Sequence, residues 1–93
     1  MLTSFWFIFE RASEQSVLDM GAGVTAYDLA DAKKLLEAQV FPLFGERPVE
    51  SIITDVDIRT LEDKHVRPNM GNPAVRGVWY PQVAQTLRPF AYD

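Results

Sequence analysis

The residues of this 93-residue chain that could do chemistry lie together in its second half, where aspartates surround the single histidine. Asp55 and Asp57 alternate along a predicted strand, which would place both carboxylates on one face, and Asp63 and His65 follow shortly after. Carboxylate oxygens and imidazole nitrogens can bind a divalent cation. Because the spacing matches no cation-binding loop and a second histidine is lacking, we expect a solvated acidic edge and no metal.

His65 is the side chain best suited to general-base catalysis, because an unperturbed histidine has a pKa of about 6.5. A hydrolase that uses His65 with Asp57 or Asp63 is therefore one hypothesis. The chain contains no cysteine, and its serines lack the sequence context of an activated nucleophile. We therefore interpret His65 as a hydrogen-bonded loop residue, and we expect no catalytic residue and no cofactor.

Composition and charge exclude several classes of protein. Hydrophobic residues make up 47% of the chain and charged residues 24%, which is typical of a folded domain. The length predicts one domain over 1–93, with an ordered core over about 4–81 and a tail over 82–93. Without cysteine there is no disulfide framework and no thiolate metal site. The net charge of −4 disfavours binding to nucleic acid or to an anionic membrane, both of which need a basic surface.

The N-terminal apolar run raises the question of targeting. It spans Leu2 to Phe9, no basic residue precedes it, and Glu10 and Arg11 end it. A signal peptide has a basic start and a small-residue cleavage site, and a membrane span has about 20 apolar residues. We therefore expect a cytoplasmic protein, and we interpret the run as a strand.

Four strands and one helix must position these side chains. Asp28 is a plausible N-cap for the helix, and Phe41-Pro42 is expected to end it, because the residue before a proline avoids the α region. The order β-β-α-β-β predicts an α+β two-layer sandwich with one helix packed on a largely antiparallel four-stranded sheet. Hydrophobic spacing predicts strands over 4–9, 21–27, 49–58 and 75–80 and a helix over 28–40.

One helix can cover only one face of this sheet, although the first strand is apolar on both faces. The long segment 58–74, a protein partner and a second copy of the chain are three candidates for the other cover. Loops longer than about 12–15 residues are uncommon in compact domains, so 58–74 is expected to be either an ordered loop that covers the open sheet face or a dedicated ligand loop. If that face is open, Trp79, Tyr80 and Arg76 are the residue types that anchor protein interfaces.

Two neighbouring sequence blocks resemble those of a known family. They are Pro68-Asn69-Met70-Gly71-Asn72-Pro73 and Arg76-Gly77-Val78-Trp79-Tyr80-Pro81. With further blocks over most of 4–81, the chain resembles a small family of uncharacterised bacterial single-domain proteins. The resemblance carries over no catalytic residue. Small acidic bacterial proteins of this kind are often immunity proteins paired with a toxin, which is an association from size and charge.

These observations predict a non-enzymatic protein-interaction module, best interpreted as an immunity-type inhibitor that binds and occludes a bacterial toxin. An acidic edge would oppose a basic site on the toxin, and aromatic and arginine side chains would anchor the interface. The alternatives are a small metal- or histidine-dependent hydrolase that uses the 58–74 loop and a self-associating scaffold domain, which would form a homodimer. The predicted partner-binding residues are Asp55, Asp57, Glu62, Asp63, His65, Arg76, Trp79 and Tyr80.

Overall fold

The computed structural model describes residues 1–13 and 15–82, so nearly all of the predicted tail lies outside the described residues. Its elements are β1 (Thr3–Phe9), β2 (Ala22–Ala26), α1 (Leu29–Leu35), α2 (Phe41–Phe44), β3 (Val49–Thr54) and β4 (Gly77–Tyr80). The strands form one antiparallel sheet in the order β3-β1-β2-β4, with the helical layer on one face. The predicted α+β two-layer sandwich is therefore confirmed.

Strand β1 lies at the centre of the sheet and is buried on both faces. Its phenylalanines Phe5, Phe7 and Phe9 point towards the helix, where they pack in the larger apolar cluster. Trp6 and Ile8 point to the opposite face and belong to a second cluster. Because successive side chains of a strand alternate between faces, this aromatic sequence supplies both clusters from one strand.

The helical layer begins where the sequence predicts. The Asp28 carboxylate accepts a hydrogen bond of 2.8 Å from the Asp31 N–H, which satisfies one of the N–H groups left open at a helix start. Ala32, Leu35 and Leu36 are buried against the sheet, whereas the intervening lysines are exposed. The helical spacing of the apolar residues therefore correctly predicts which side of the helix packs on the sheet.

The predicted end of the helix before Pro42 is wrong. The chain continues through one π turn over Leu36–Val40 and then through α2 to Gly45. A proline lacks an N–H, and in regular α-helix its ring clashes with the carbonyl one turn earlier. The π turn lengthens the hydrogen-bond spacing just before the proline, with the Phe41 N–H donating to the Leu36 carbonyl, so the helix bypasses the break.

Strand β3 is shorter than predicted, because the chain turns at Asp55, which has a φ of 56°. The Val56 N–H still donates to the Ser4 carbonyl at 3.1 Å, but the side chains beyond the turn change face. Ile52 packs with the helix-side cluster, whereas Val56 packs with the cluster on the other face. The prediction that alternation continues along one strand to residue 58 is therefore wrong.

The sheet face opposite the helix is covered by the chain itself. Residues 55–76, which we call the covering segment, lie over Trp6 and place Val56 and Val66 in the second cluster. Leu61 and Met70 pack against this cluster from the same segment. Of the three covers that the sequence left open, the structure therefore has the loop.

The end of the covering segment is fixed against β2 through Trp79. The Trp79 indole lies directly over Gly23, where a β-carbon would collide with the ring. Its Nε1–H donates a 3.0 Å hydrogen bond to the Thr25 hydroxyl, which in turn donates to the Pro73 carbonyl at 2.6 Å. The Gly71 N–H completes the attachment by donating to the Trp79 carbonyl at 2.6 Å.

We predict that Gly23→Ala destabilises the fold by about 1–3 kcal/mol, because the added methyl group meets the Trp79 ring in a packed core. Gly71→Ala is the matched control, because its β-carbon would lie at ordinary contact distance, 3.7 Å from the Trp79 backbone. Urea unfolding of both variants measures the difference. Equal unfolding midpoints for Gly23→Ala and the unaltered protein would contradict this account.

Candidate functional site

The structure separates the eight predicted partner-binding residues into three groups. Five lie on the covering segment and point towards solvent to different extents, two are buried in the core, and one, the last residue of the covering segment, pairs with the helix. The five are Asp55, Asp57, Glu62, Asp63 and His65, the buried two are Trp79 and Tyr80, and the last is Arg76. The predicted site is therefore not one continuous surface.

Trp79 and Tyr80 are not available as interface anchors in this fold. Their exposed fractions are 2% and 5%, and both rings pack on Trp6, with centroid distances of 5.7 and 5.9 Å. The sequence assigned them as anchors on the condition that this sheet face is open, and the condition is not met, because the covering segment occupies the face on which they lie. Burial also raises the pKa of the Tyr80 hydroxyl above its usual value.

Asp57 has a local role. Its carboxylate binds the Arg59 guanidinium in a bidentate pair of 3.0 and 2.9 Å and accepts a 3.0 Å hydrogen bond from the Arg59 N–H. The Arg59 side chain is the main cause that lowers the Asp57 pKa, and the backbone N–H adds to it. Asp55, in contrast, is exposed in the turn before it. The prediction that the two aspartates share a strand face is wrong, because β3 ends before either residue.

Glu62 organises the middle of the covering segment. Burial opposes ionisation of its carboxylate, but the backbone N–H groups of His65, Val66 and Lys64 outweigh that effect and bring the pKa to about 2. The donors from His65 and Val66 lie 2.6 and 3.0 Å from Oε1. The charge of Glu62 is therefore used inside the segment to fix its backbone.

Asp63 and His65 are exposed on either side of this turn, and the His65 side chain is 71% exposed. Its Nδ1 lies 3.3 Å from Oε2 of Glu62, so its carboxylate neighbour is not one of the aspartates that the hydrolase hypothesis names. The basic side chains of Lys64 and Arg67 are also exposed nearby. The outward surface therefore mixes both signs of charge and is less acidic than the aspartate spacing suggests.

Arg76 belongs to the helical layer. It forms a bidentate ion pair with Asp31, with distances of 2.5 and 2.9 Å, and lies 5.4 Å from the ring centre of Tyr27. The Arg76 side chain is the main cause that lowers the Asp31 pKa to about 2, and the Tyr27 N–H contributes. The guanidinium is thus held within the molecule, which the sequence did not indicate because the two partners are far apart along the chain.

The structure also reveals a feature that the site prediction missed. A groove of about 330 Å³ runs between the helical layer and β3, lined by apolar residues that include Leu36 and Phe41 and by the charged residues Lys33, Glu37 and Glu50. On the other face of the same strand, Ile53 is 44% exposed. The sequence contained an indication of this exposed apolar residue, because Ile53 lies on the strand face that was predicted to be solvated.

The described residues contain neither a cluster of metal ligands nor a helix suited to crossing a membrane. Within 1–13 and 15–82, no three histidine, aspartate or glutamate side chains come together as a potential metal site. In the same part of the chain, no helix has both the length and the apolar character to cross a membrane.

Comparison of the chain with protein-family models, with curated proteins and with solved structures finds no match. The resemblance to a family of bacterial proteins therefore stays a prediction.

We predict that the folded state loses stability as the pH falls from about 4.5 to about 2. Asp31 and Glu62 have folded pKa values of about 2, below their usual 3.8 and 4.5. A lowered carboxyl pKa stabilises the fold above the unfolded pKa, and that contribution is lost as the pH falls through the folded pKa. Thermal unfolding across this range measures the effect.

The double variant Asp31→Asn with Glu62→Gln should have a lower melting temperature at pH 7 and a shallower decrease at acid pH. Glu10→Gln is the control, because Glu10 is exposed on the connector outside both turns. A double variant whose melting temperature decreases with pH as steeply as that of the unaltered protein would show that these carboxylates are not the cause.

Proposed function

We propose that this domain is a non-enzymatic protein-interaction module in the bacterial cytoplasm that inhibits a toxin by binding it and occluding its active site. The interaction surface is the outward side of the covering segment. The observation that carries the proposal is that this segment is fixed by its own core contacts and hydrogen bonds while Asp55, Asp63 and His65 remain exposed.

A fixed surface favours binding, because little conformational entropy is lost when a partner docks on a segment that is already ordered. Val66 anchors the middle of the segment, with 1% of its surface exposed, and the Glu62 carboxylate ties the backbone around it. The exposed side chains are therefore presented on a backbone that needs no rearrangement.

Charge supports a basic partner. The chain carries a net charge of −4, so its long-range field attracts a cationic surface and raises the association rate. Within 1–13 and 15–82, Asp55 and Asp63 are the carboxylates of the segment without a hydrogen bond or ion pair, whereas Asp57 and Glu62 are held by neighbouring groups. We therefore assign the electrostatic contact to Asp55 and Asp63.

Replacing Asp55 and Asp63 together by asparagine should weaken partner binding roughly two- to thirtyfold, because each of the two exposed ion pairs contributes about 0.2–1 kcal/mol. Asparagine tolerates the positive φ of Asp55, so the turn is preserved. The partner is obtained by affinity capture from the native host with mass spectrometry, purified, and titrated by calorimetry at two salt concentrations.

The matched control replaces Glu10 and Glu46 by glutamine, which removes the same charge from exposed positions away from the covering segment. Its affinity should change less than that of the aspartate variant. Equal affinities for the two double variants, or binding that is insensitive to salt, would contradict the electrostatic assignment.

His65→Ala should leave inhibition of the toxin intact. The backbone N–H and carbonyl of His65, which bond to Glu62 and Asn69, are kept in the variant. A hydrolase that used His65 as its general base would instead lose about 10²–10⁴-fold in rate. Measuring toxin inhibition beside circular dichroism separates these outcomes, and loss of activity in a folded variant would favour the hydrolase.

A further inference from the structure

The two edges of the sheet are protected to very different degrees. Strand β4 has four residues, its Trp79 carbonyl is occupied by the Gly71 N–H, and Pro81 follows it directly. Strand β3 has six residues, with Pro48 directly before it and an irregular pairing with β1 at Glu50, and within 1–13 and 15–82 no strand pairs with its outer side. An unprotected edge strand is a template for pairing with another strand.

The hydrogen-bond ladder determines which backbone groups this edge offers. In an antiparallel pair, alternate residues direct their N–H and C=O groups to opposite sides. The Ser4 carbonyl accepts a hydrogen bond from the Val56 N–H, so the backbone groups of Ser4 point towards β3. Those of Trp6, two residues along, point the same way, and those of its partner Ile53 therefore point back towards β1. The backbone groups of Ile52 therefore point away from the sheet, and those of the exposed residue Thr54 do the same.

We propose that β3 pairs antiparallel with β3 of a second copy, which joins the two sheets into one across a two-fold axis. Hydrogen bonding requires that residues with outward backbone groups oppose one another. The register that does so places Ile52 opposite Ile52 of the second copy and Ile53 opposite Ser51. The regular part of the strand is Ser51–Thr54, so Thr54 faces the irregular position Glu50. The strand is therefore complementary to itself.

The side chains fit this register. Glu50, the only charged residue of the strand, faces a threonine, so no like charges oppose each other across the axis. Ile53, 44% exposed in one copy, gains a neighbour in Ser51 of the second copy. The groove lined by Leu36 and Phe41 lies beside the pairing edge, so the second copy also shields it from water.

The salt dependence of this dimer is opposite to that of the proposed toxin complex. Each copy carries a charge of −4, so two copies repel and added salt screens the repulsion. Binding to a basic partner is weakened by the same addition. The dimer uses the β3 edge and the toxin complex uses the covering segment, so either proposal can fail without the other.

Analytical ultracentrifugation of the full chain tests the dimer. The apparent mass should rise from the monomer value of 10.5 kDa to twice that value with increasing concentration, and the midpoint should fall at higher salt. Thr54→Pro removes an outward N–H from an exposed residue, and Ile53→Lys places a charge on the edge strand, so both should remain monomeric. Val75→Lys is the matched control, because Val75 is an exposed apolar residue away from β3, and it should dimerise.

A chain that remains monomeric at millimolar concentration overturns the proposal, and so do edge variants that dimerise as well as Val75→Lys. If the unaltered chain is monomeric and Thr54→Pro abolishes toxin binding, the edge belongs to the toxin and the dimer is also overturned. Circular dichroism verifies that each variant is folded, and Ile53→Lys provides the test if Thr54→Pro is not.

The absence of cysteine allows the register to be tested directly. Opposed residues in a non-hydrogen-bonded pair have Cα atoms about 4.5 Å apart, within disulfide range. Mixing Ser51→Cys with Ile53→Cys under mild oxidation should therefore give mainly the mixed disulfide, since 51–51 and 53–53 pairs lie further apart in this register. A statistical mixture of homodimers and heterodimers, or no disulfide, would overturn it.

Discussion

The fold depends on the contact between the Trp79 indole and the bare backbone of Gly23. The ring fits only because Gly23 has no side chain, and its Nε1–H is satisfied by the Thr25 hydroxyl two residues along the same strand. That hydroxyl donates its single proton to the Pro73 carbonyl, so the bond of 2.9 Å to Ser4 is donated by the serine. One buried hydroxyl thus joins β1, β2, β4 and the covering segment.

This arrangement gives the sheet two unlike faces. The helix face is an apolar layer of ordinary packing, in which the small residues Ala22, Ala26 and Ala32 let helix and sheet approach closely. The other face is covered by irregular chain, whose backbone needs its own hydrogen-bond partners when it is buried. Glu62 supplies several of them, which explains why its ionised form is so strongly favoured. An acidic residue that suggests a binding site is here part of the scaffold of the covering segment.

Sequence patterns predicted the elements better than their boundaries or their surfaces. The helix and all four strands follow from local spacing, because each buried stripe has the period of its own element. The π turn before Pro42 and the turn at Asp55 could not be predicted from local spacing, because Pro42 also fits the end of a helix and Asp55 also fits a continuing strand. The burial of Trp79 and Tyr80 could not be predicted either, because aromatic residues suit a core and an interface equally well. Only the fold determines that Val66 of the covering segment packs in the same cluster.

The covering segment and the β3 edge are adjacent, since Asp55 directly follows the last residue of β3. A two-fold axis that joins β3 to itself runs perpendicular to the sheet, because residues opposed in an antiparallel pair point to the same face. Both covering segments would then lie on one side of the joined sheet and both helical layers on the other. Two copies of the same surface, held at a fixed separation, would engage an oligomeric target with an avidity that a single copy lacks. Self-association and partner binding would in that case act together, although they respond to salt in opposite directions.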